Sequence, residues 1–167
     1  MPGSLYLIPA TLGAEDWQTY LPTATRHIVC NLTRFIAENA KSARAELKRL
    51  GHPVPLRQID IQQLPERCLA PEIERLLEPL LTGEDVGLFS EAGCPGVADP
   101  GASIVRRAHA VGIPVKPLVG PSSLLLALMA SGLEGQRFAF HGYLPAREPD
   151  RRQRIVELER ESARLAQ

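Results

Sequence analysis

The 167 residues of the chain are enough for one ordinary domain, or for one domain and part of a second. Lysine plus arginine and aspartate plus glutamate number 19 each, so the net charge gives no general footprint for nucleic-acid binding. No apolar run reaches the roughly 20 residues that span a bilayer, and the N-terminus does not resemble a signal peptide. We therefore expect a cytoplasmic protein without a membrane segment.

The cysteines and histidines follow neither a disulfide pattern nor a metal-site pattern. Cys30, Cys68 and Cys94 are odd in number and share no CxxC spacing, which favours reduced thiols. The histidines are scattered along the chain, whereas structural zinc requires clustered ligands. The sequence therefore predicts no metal site.

Short apolar runs alternate with helical patterns along the first two thirds of the chain. The apolar runs predict strands at 5–10, 34–38, 57–64, 86–90 and 113–119. Helical spacing predicts helices at 39–51, 71–83 and 101–112, and we assign the ambiguous segment 20–33 to a further helix. Pro79 should bend or shorten the helix that contains it. Strands that alternate with helices indicate an α/β fold, with a parallel sheet and helices on both faces.

The composition changes after residue 118. The run "LLLALMA" at 124–130 is apolar on every side, which predicts a buried helix. The stretch "RFAFHGYLPA" at 137–146 predicts a new strand, and a charged helix follows it without a stop signal. We assign 1–118 to an N-terminal domain and 119–167 to the start of a second α/β domain that is incomplete here.

Three loops rich in glycine, proline and small residues follow predicted strands, at 9–13, 90–101 and 119–123. Ligands of open parallel sheets bind beyond the carboxyl ends of the strands, so these loops predict a ligand site. The central loop carries Glu91 and Asp99 but no basic residue, and no phosphate-binding glycine motif occurs in the chain. Acids suit a ligand with hydroxyl and amino or sulfonium groups, such as S-adenosylmethionine. Alternatively, Asp99 only caps the helix that follows it.

Single residues elsewhere allow two interpretations each. Glu38 ends the second predicted strand and is either a site carboxylate or a solvated strand end. Cys94 is not expected to be a nucleophile, because no neighbouring histidine could activate it. Lys41 and its basic neighbours on the same helix indicate a solvated face, and the arginines at 147–154 either contact an RNA backbone or belong to an ordinary charged helix.

Five ordered motifs make the sequence resemble a known family. They are "LYLIPATLG", "FIAENAKSARAELKRLG", "FSEAGCPGVADPG", "PLVGPSSLLLALMASGL" and "FAFHGYLP". Their order and spacing are similar to those of the tetrapyrrole methylase superfamily, in the branch of the small-subunit ribosomal RNA cytidine 2′-O-methyltransferases. Where that branch usually has aspartate and threonine, this chain has Glu91 and Cys94, and its Glu38-Asn39-Ala40-Lys41 replaces an acidic–acidic–Thr–Arg run.

The resemblance implies a two-domain, homodimeric methyltransferase that binds S-adenosylmethionine between its domains and methylates ribosomal RNA. Family members run well beyond this length. A ribose hydroxyl acceptor would need a base or a polarising group near its oxygen, and the carboxylates to test for that role are Glu38 and Glu91. The matching motifs imply cofactor contacts at Pro9, Thr11, Ser90, Gly93, Cys94, Pro95, Asp99, Gly120, Ser122, Ser123 and Leu124. The alternatives are methyl transfer to a tetrapyrrole or another small molecule, and a protein that binds the cofactor without catalysis.

Overall fold

A single parallel sheet forms the centre of the chain, whose computed structural model describes residues 1–65 and 69–165. Its strands are β1 (Leu5–Ile8), β2 (Arg34–Ala37), β3 (Asp60–Gln63), β4 (Val86–Phe89) and β5 (Val115–Pro117). They lie in the order β3-β2-β4-β1-β5, and every neighbouring pair is parallel. The predicted α/β class and all five predicted strands of this sheet are confirmed. Cys68 lies outside the described residues.

The helices follow the predicted periodicity closely. They are α1 (Thr23–Cys30), α2 (Ala40–Arg49), α3 (Ala70–Leu81), α4 (Gly101–Ala110), α5 (Ser123–Ser131) and α6 (Glu148–Leu165). The helix assigned to the ambiguous segment is therefore confirmed as α1. Helix α3 includes Pro79 and ends two residues after it, at Leu81. Pro79 has no N–H to donate to the carbonyl oxygen of Arg75, so it removes one helical hydrogen bond near the end of α3.

Helices cover both faces of the sheet, as predicted. Helices α1 and α2 pack with Phe35 and Phe89 in one hydrophobic cluster, whereas α3 and α4 pack with Leu88 in the cluster on the opposite face. In β4, a Cβ added to Gly87 would lie 2.5 Å from Cδ1 of Ile8 and 2.6 Å from the ring of Phe35. Only glycine leaves room there for the first cluster to close over the central strand.

The strand register brings the carboxyl ends of the strands to a common edge. Ile8 lies beside Phe89, Phe89 beside Ala37, and Ala37 beside Gln63. The connection after β2 crosses one face of the sheet through α2, and the connection after β4 crosses the other through α4. Where the connections from neighbouring strands cross opposite faces of a parallel sheet, a crevice opens between them, and ligands bind there. The loops after β1, β2 and β4 therefore start side by side.

The chain divides into two compact units, 1–123 and 124–167. In the second unit the predicted strand at 137–146 is wrong, because those residues form neither strand nor helix. The structure describes no adjacent strand with which they could pair, and Phe138 and Tyr143 are exposed. The predicted burial of α5 is also wrong within this chain, since Leu125, Leu126 and Met129 are exposed. Across the described residues, no helix combines the length and the apolar character that a membrane crossing requires.

Candidate functional site

The loops after β1, β4 and β5 are joined to one another at the carboxyl edge of the sheet. Ala10 and Gly93 form a reciprocal backbone pair, with N–H···O distances of 2.9 and 3.2 Å. The Cys94 thiol donates to the carbonyl oxygen of Pro121 at 3.3 Å. Because both links connect loops that are far apart in sequence, the three predicted loops form one continuous wall.

Glycine at position 120 is required for the contact between the first and third loops. A Cβ there would lie 2.4 Å from Cβ and 2.6 Å from Cγ of Pro9, well inside van der Waals contact. The proline ring cannot rotate away, since its atoms are fixed to the backbone. Gly120 and Pro9, both predicted cofactor contacts, therefore hold the first and third loops against each other.

The central loop is held by its own polar groups. Gly93 is buried, has a φ of +67°, and uses both backbone groups in the pair with Ala10. The hydroxyl of Ser90 donates to the carbonyl oxygens of Ala92 and Gly93, at 3.2 and 3.3 Å. Burial raises the pKa of the Cys94 thiol, so little reactive thiolate forms at neutral pH. These groups fix the shape of the loop from within.

Asp99 stabilises the end of the same loop. Its Oδ1 accepts hydrogen bonds from the backbone N–H of Gly96 at 2.9 Å and of Gly101 at 2.8 Å. Burial raises the pKa of this carboxyl, and the two backbone donors oppose that rise. Asp99 thus accepts the first N–H of α4 from the position before the N-cap residue, Pro100, as in the capping alternative that the sequence left open. A role towards a ligand stays a prediction.

Replacing Asp99 with alanine should lower the free energy of unfolding by about 1–3 kcal/mol, because two backbone donors lose their acceptor. Asparagine at the same position should cost far less, since its amide oxygen can accept both bonds. Chemical denaturation of the two variants measures the difference. Equal losses in both variants would show that the negative charge matters, and not the acceptor.

A cleft of about 510 Å³ opens beside this wall, at the ends of β2, β3 and β4. It is lined by both predicted catalytic carboxylates, Glu38 and Glu91, together with Asn39 and Gln63. The N–H of Glu91 donates to Oε2 of Glu38 at 3.4 Å. The structure thus brings together two acids that are 53 residues apart in sequence. Their association follows from the register of β2 and β4.

The electrostatics of the cleft act mainly on Glu38. Burial raises the pKa of its carboxyl, the N–H of Glu91 lowers it, and the nearby charges of Asp99 and Glu91 raise it further. A carboxyl with a raised pKa is a stronger base than an ordinary glutamate, which suits proton abstraction. A catalytic role for Glu38 or Glu91 stays a prediction.

The other predicted contact residues lie around the same loops. Thr11 stabilises the first loop, accepting from the N–H of Gly13 and donating to the carbonyl of Ala14. Pro95 is buried, Ser122 is half-buried at the end of the first unit, and Leu124 is half-buried at the start of the second. Ser123 is exposed and begins α5. In the described part of the chain, no group of three or more acidic, histidine or cysteine side chains is placed to hold a metal ion.

Sequence reasoning missed an ionic cluster around the buried carboxylate of Glu46, next to the wall. The hydroxyl of Tyr20 donates to Oε1 of Glu46 at 2.5 Å, and Arg49 pairs with the other carboxylate oxygen. Burial and the Glu46 carboxylate hold the pKa of the Tyr20 phenol above its usual value, so it stays a donor. The one signal of this cluster in the sequence is Glu46, a glutamate within the apolar stripe of α2.

A parallel α/β domain with joined loops and two neighbouring acidic residues at the carboxyl edge of its sheet has the features of a ligand-binding domain. Known proteins narrow this class. The chain is 38% identical to a ribosomal RNA small subunit methyltransferase I of Xylella fastidiosa strain Temecula1, over 98% of the chain and 57% of that protein. It is 34% and 32% identical to proteins of the same name from Pseudomonas aeruginosa and Escherichia coli O157:H7.

These identities extend over 98% of the chain, which is therefore a homologue of the ribosomal RNA small subunit methyltransferase I proteins. The family resemblance of the motifs is confirmed. No family model matches the chain. The chain spans about half the length of the curated relatives that it matches.

Proposed function

We propose that the chain is part of an S-adenosylmethionine-dependent methyltransferase that acts on ribosomal RNA, at a ribose 2′-hydroxyl. The observation that carries this proposal is the cleft with Glu38 beside the joined loops, in a homologue of proteins named as ribosomal RNA methyltransferases. The proposal also includes a homodimer, which the sequence motifs support, and a location in the cytoplasm.

The residues present fit such a cofactor. Three rigid loops give backbone edges at one place, held together by the contact of Gly120 with Pro9 and by the pair between Ala10 and Gly93. The carboxylates of the cleft complement a positively charged sulfonium. When bound, S-adenosylmethionine would supply the methyl group.

Glu38 has the chemistry of the general base. Methyl transfer to a hydroxyl oxygen requires the loss of its proton, and a carboxylate whose pKa is raised by burial accepts that proton more readily. Asn39 and Gln63, which line the same cleft, offer neutral donors and acceptors to orient a ribose. Glu91 holds Glu38 through its backbone N–H, so its side chain remains available to the ligand.

The test is methyl transfer from labelled S-adenosylmethionine by the whole protein. We expect label in small ribosomal subunits and binding of the cofactor with micromolar affinity, on the order of −8 kcal/mol. Bulk tRNA and porphyrinogens serve as alternative acceptors in parallel reactions. Label in porphyrinogens alone would favour a tetrapyrrole acceptor. Cofactor binding without label in any acceptor would favour a non-catalytic binding protein.

A further inference from the structure

The outward side of helix α2 carries positive charge only. Its exposed residues are Lys41, Arg44, Ala45 and Lys48, and the three basic ones lie on one side of the helix because they are spaced by three and four residues. The one acid of α2 is Glu46, which is buried at 3% exposure. No acid of the same helix therefore lies beside these cations at the surface. We call Lys41, Arg44 and Lys48 the basic face.

The basic face is not compensated by acids of other elements either. Within residues 1–65 and 69–165, none of its three side chains forms an ion pair. In α6, by contrast, two arginines pair with glutamates one turn away. Like charges one turn apart destabilise a helix slightly, and Lys41 also lies at the positive end of the α2 dipole, where a cation is unfavourable. Helix stability therefore does not account for these residues.

The basic face begins at the mouth of the cleft that contains Glu38. Asn39 lines this cleft and also caps α2, since its Oδ1 accepts a hydrogen bond from the backbone N–H of Lys41 at 2.9 Å. From Lys41 the face extends to Lys48, about 10 Å along the helix axis, which is enough for two or three successive phosphates. An anionic chain that lies along α2 would thus reach the cleft at one end.

The acids of the cleft decide where an anionic substrate can lie. Glu38 and Glu91 both line the cleft, and their carboxylates repel phosphate groups. The whole chain has equal numbers of acidic and basic residues, so its net charge provides no attraction. The phosphates next to an acceptor ribose must therefore be held outside the cleft by local positive charge. The basic face supplies that charge directly beside the cleft.

From this arrangement we infer that the basic face of α2 binds the phosphate backbone of the RNA substrate on one side of the acceptor nucleotide. The inference rests on the proposed function and deepens it, because it assigns a surface that positions the RNA. Lysine binds phosphate as a point charge and arginine as a planar fork, so both suit this role. Phosphate contacts fix the position of a nucleic acid but carry no sequence information. The basic face should therefore bind RNA strands of different sequence equally.

The test removes the two charges of the basic face that lie farthest from the cleft. Arg44→Gln/Lys48→Gln leaves the residues of the cleft in place, and glutamine is as good a helix former as lysine and arginine. Arg75→Gln/Arg106→Gln is the matched control with the same loss of charge. Both control arginines are exposed and belong to α3 and α4, which cover the opposite face of the sheet.

Affinities are measured by fluorescence anisotropy over a range of salt concentrations, with the whole protein and single-stranded oligouridine or oligoadenosine. Each phosphate contact on a single strand contributes about 0.7 to the slope of log affinity against log salt, so Arg44→Gln/Lys48→Gln should lose about 1.4 of that slope. At low salt its affinity should fall about tenfold or more, equally for both oligomers. The control should match wild type, and calorimetry should show the same affinity for S-adenosylmethionine in all three proteins.

Methyl transfer to small ribosomal subunits gives an independent readout. Arg44→Gln/Lys48→Gln should raise KM for the subunits and leave kcat unchanged, because it removes binding that the ground state and the transition state share. A fall in kcat with an unchanged KM would contradict the inference.

Other outcomes would overturn the inference while the proposed function stands. Wild-type affinity and slope in Arg44→Gln/Lys48→Gln would show that the basic face is only a solvated surface. Equal losses in the control would indicate a general effect of charge, and a weaker affinity with the wild-type slope would indicate a contact other than phosphate. Oligoglutamate binding that only Arg44→Gln/Lys48→Gln loses, with RNA binding unchanged, would assign the face to an acidic protein partner. A wild-type protein that binds the cofactor but neither RNA oligomers nor small subunits would instead overturn the RNA acceptor and this inference with it.

Discussion

Replacing Glu38 with glutamine is expected to slow methyl transfer by about 10²–10⁴-fold, the usual contribution of a positioned general base. Glutamine has nearly the same shape and can still accept the N–H of Glu91, but it cannot take up a proton at neutral pH. The affinity for S-adenosylmethionine should fall less than the transfer rate, because the carboxylate of Glu91 still lines the cleft. Single-turnover transfer of a labelled methyl group to small ribosomal subunits measures the effect.

The same substitution should stabilise the folded protein at neutral pH. Because the pKa of Glu38 is raised on folding, the folded state holds this proton more tightly than the unfolded chain does. The contribution of Glu38 to stability is therefore fully present below its usual pKa of 4.5 and is lost as the pH rises through the folded pKa. Glu38→Gln should melt above wild type at pH 7, and the difference should disappear below pH 4.5.

Glu78→Gln is the matched control, since Glu78 is an exposed residue of α3 away from the cleft. It should leave the transfer rate as in wild type. If Glu38→Gln keeps the wild-type rate, Glu38 is not the base, and its raised pKa reflects only its burial and the acids around it.

Replacing Gly120 with alanine is expected to reduce methyl transfer by about a hundredfold, the scale that a displacement of roughly 1 Å costs in an active site. The added Cβ would lie 2.4 Å from Cβ of Pro9, so the first and third loops must move apart. Overpacking of this kind also lowers the free energy of unfolding by about 1–3 kcal/mol. Transfer kinetics and chemical denaturation of the same variant measure the two effects.

Gly135→Ala makes the same chemical change where it should have no effect, because nothing lies within 4 Å of the added Cβ. A loss of stability in Gly120→Ala without any loss of methyl transfer would show that the contact between the two loops is not needed for function. Far-UV circular dichroism of the variant distinguishes unfolding from a local effect.

The fold of the first unit could be predicted because its signals are local. Apolar runs such as "VGLFS" and the spacing of Ala43, Leu47 and Leu50 indicate buried strands and an amphipathic helix without knowledge of any partner. The strand predicted at 137–146 is wrong because its formation depends on a partner strand, which is not a local property of the sequence. A strand exists only when another strand pairs with it, and the structure describes none beside these residues.

From the sequence, only the location of the candidate site could be predicted, at the carboxyl ends of the parallel strands. The sequence marks Glu38 and the loop from Ser90 to Gly101, but it cannot show that Cys94 reaches Pro121. Glu46 carried a local signal, since it lies in the stripe of buried residues on α2. Its partner Tyr20 is 26 residues away, and only the packed structure brings the two together.

The joint of the three loops also affects the entropy of ligand binding. Ordering the backbone of one residue costs about 1–2 kcal/mol in conformational entropy. The pair between Ala10 and Gly93 and the contact of Gly120 with Pro9 restrain these loops when the chain folds, before any ligand arrives. A ligand at this edge therefore meets a surface whose freedom is already restricted, and more of its contact energy remains as affinity.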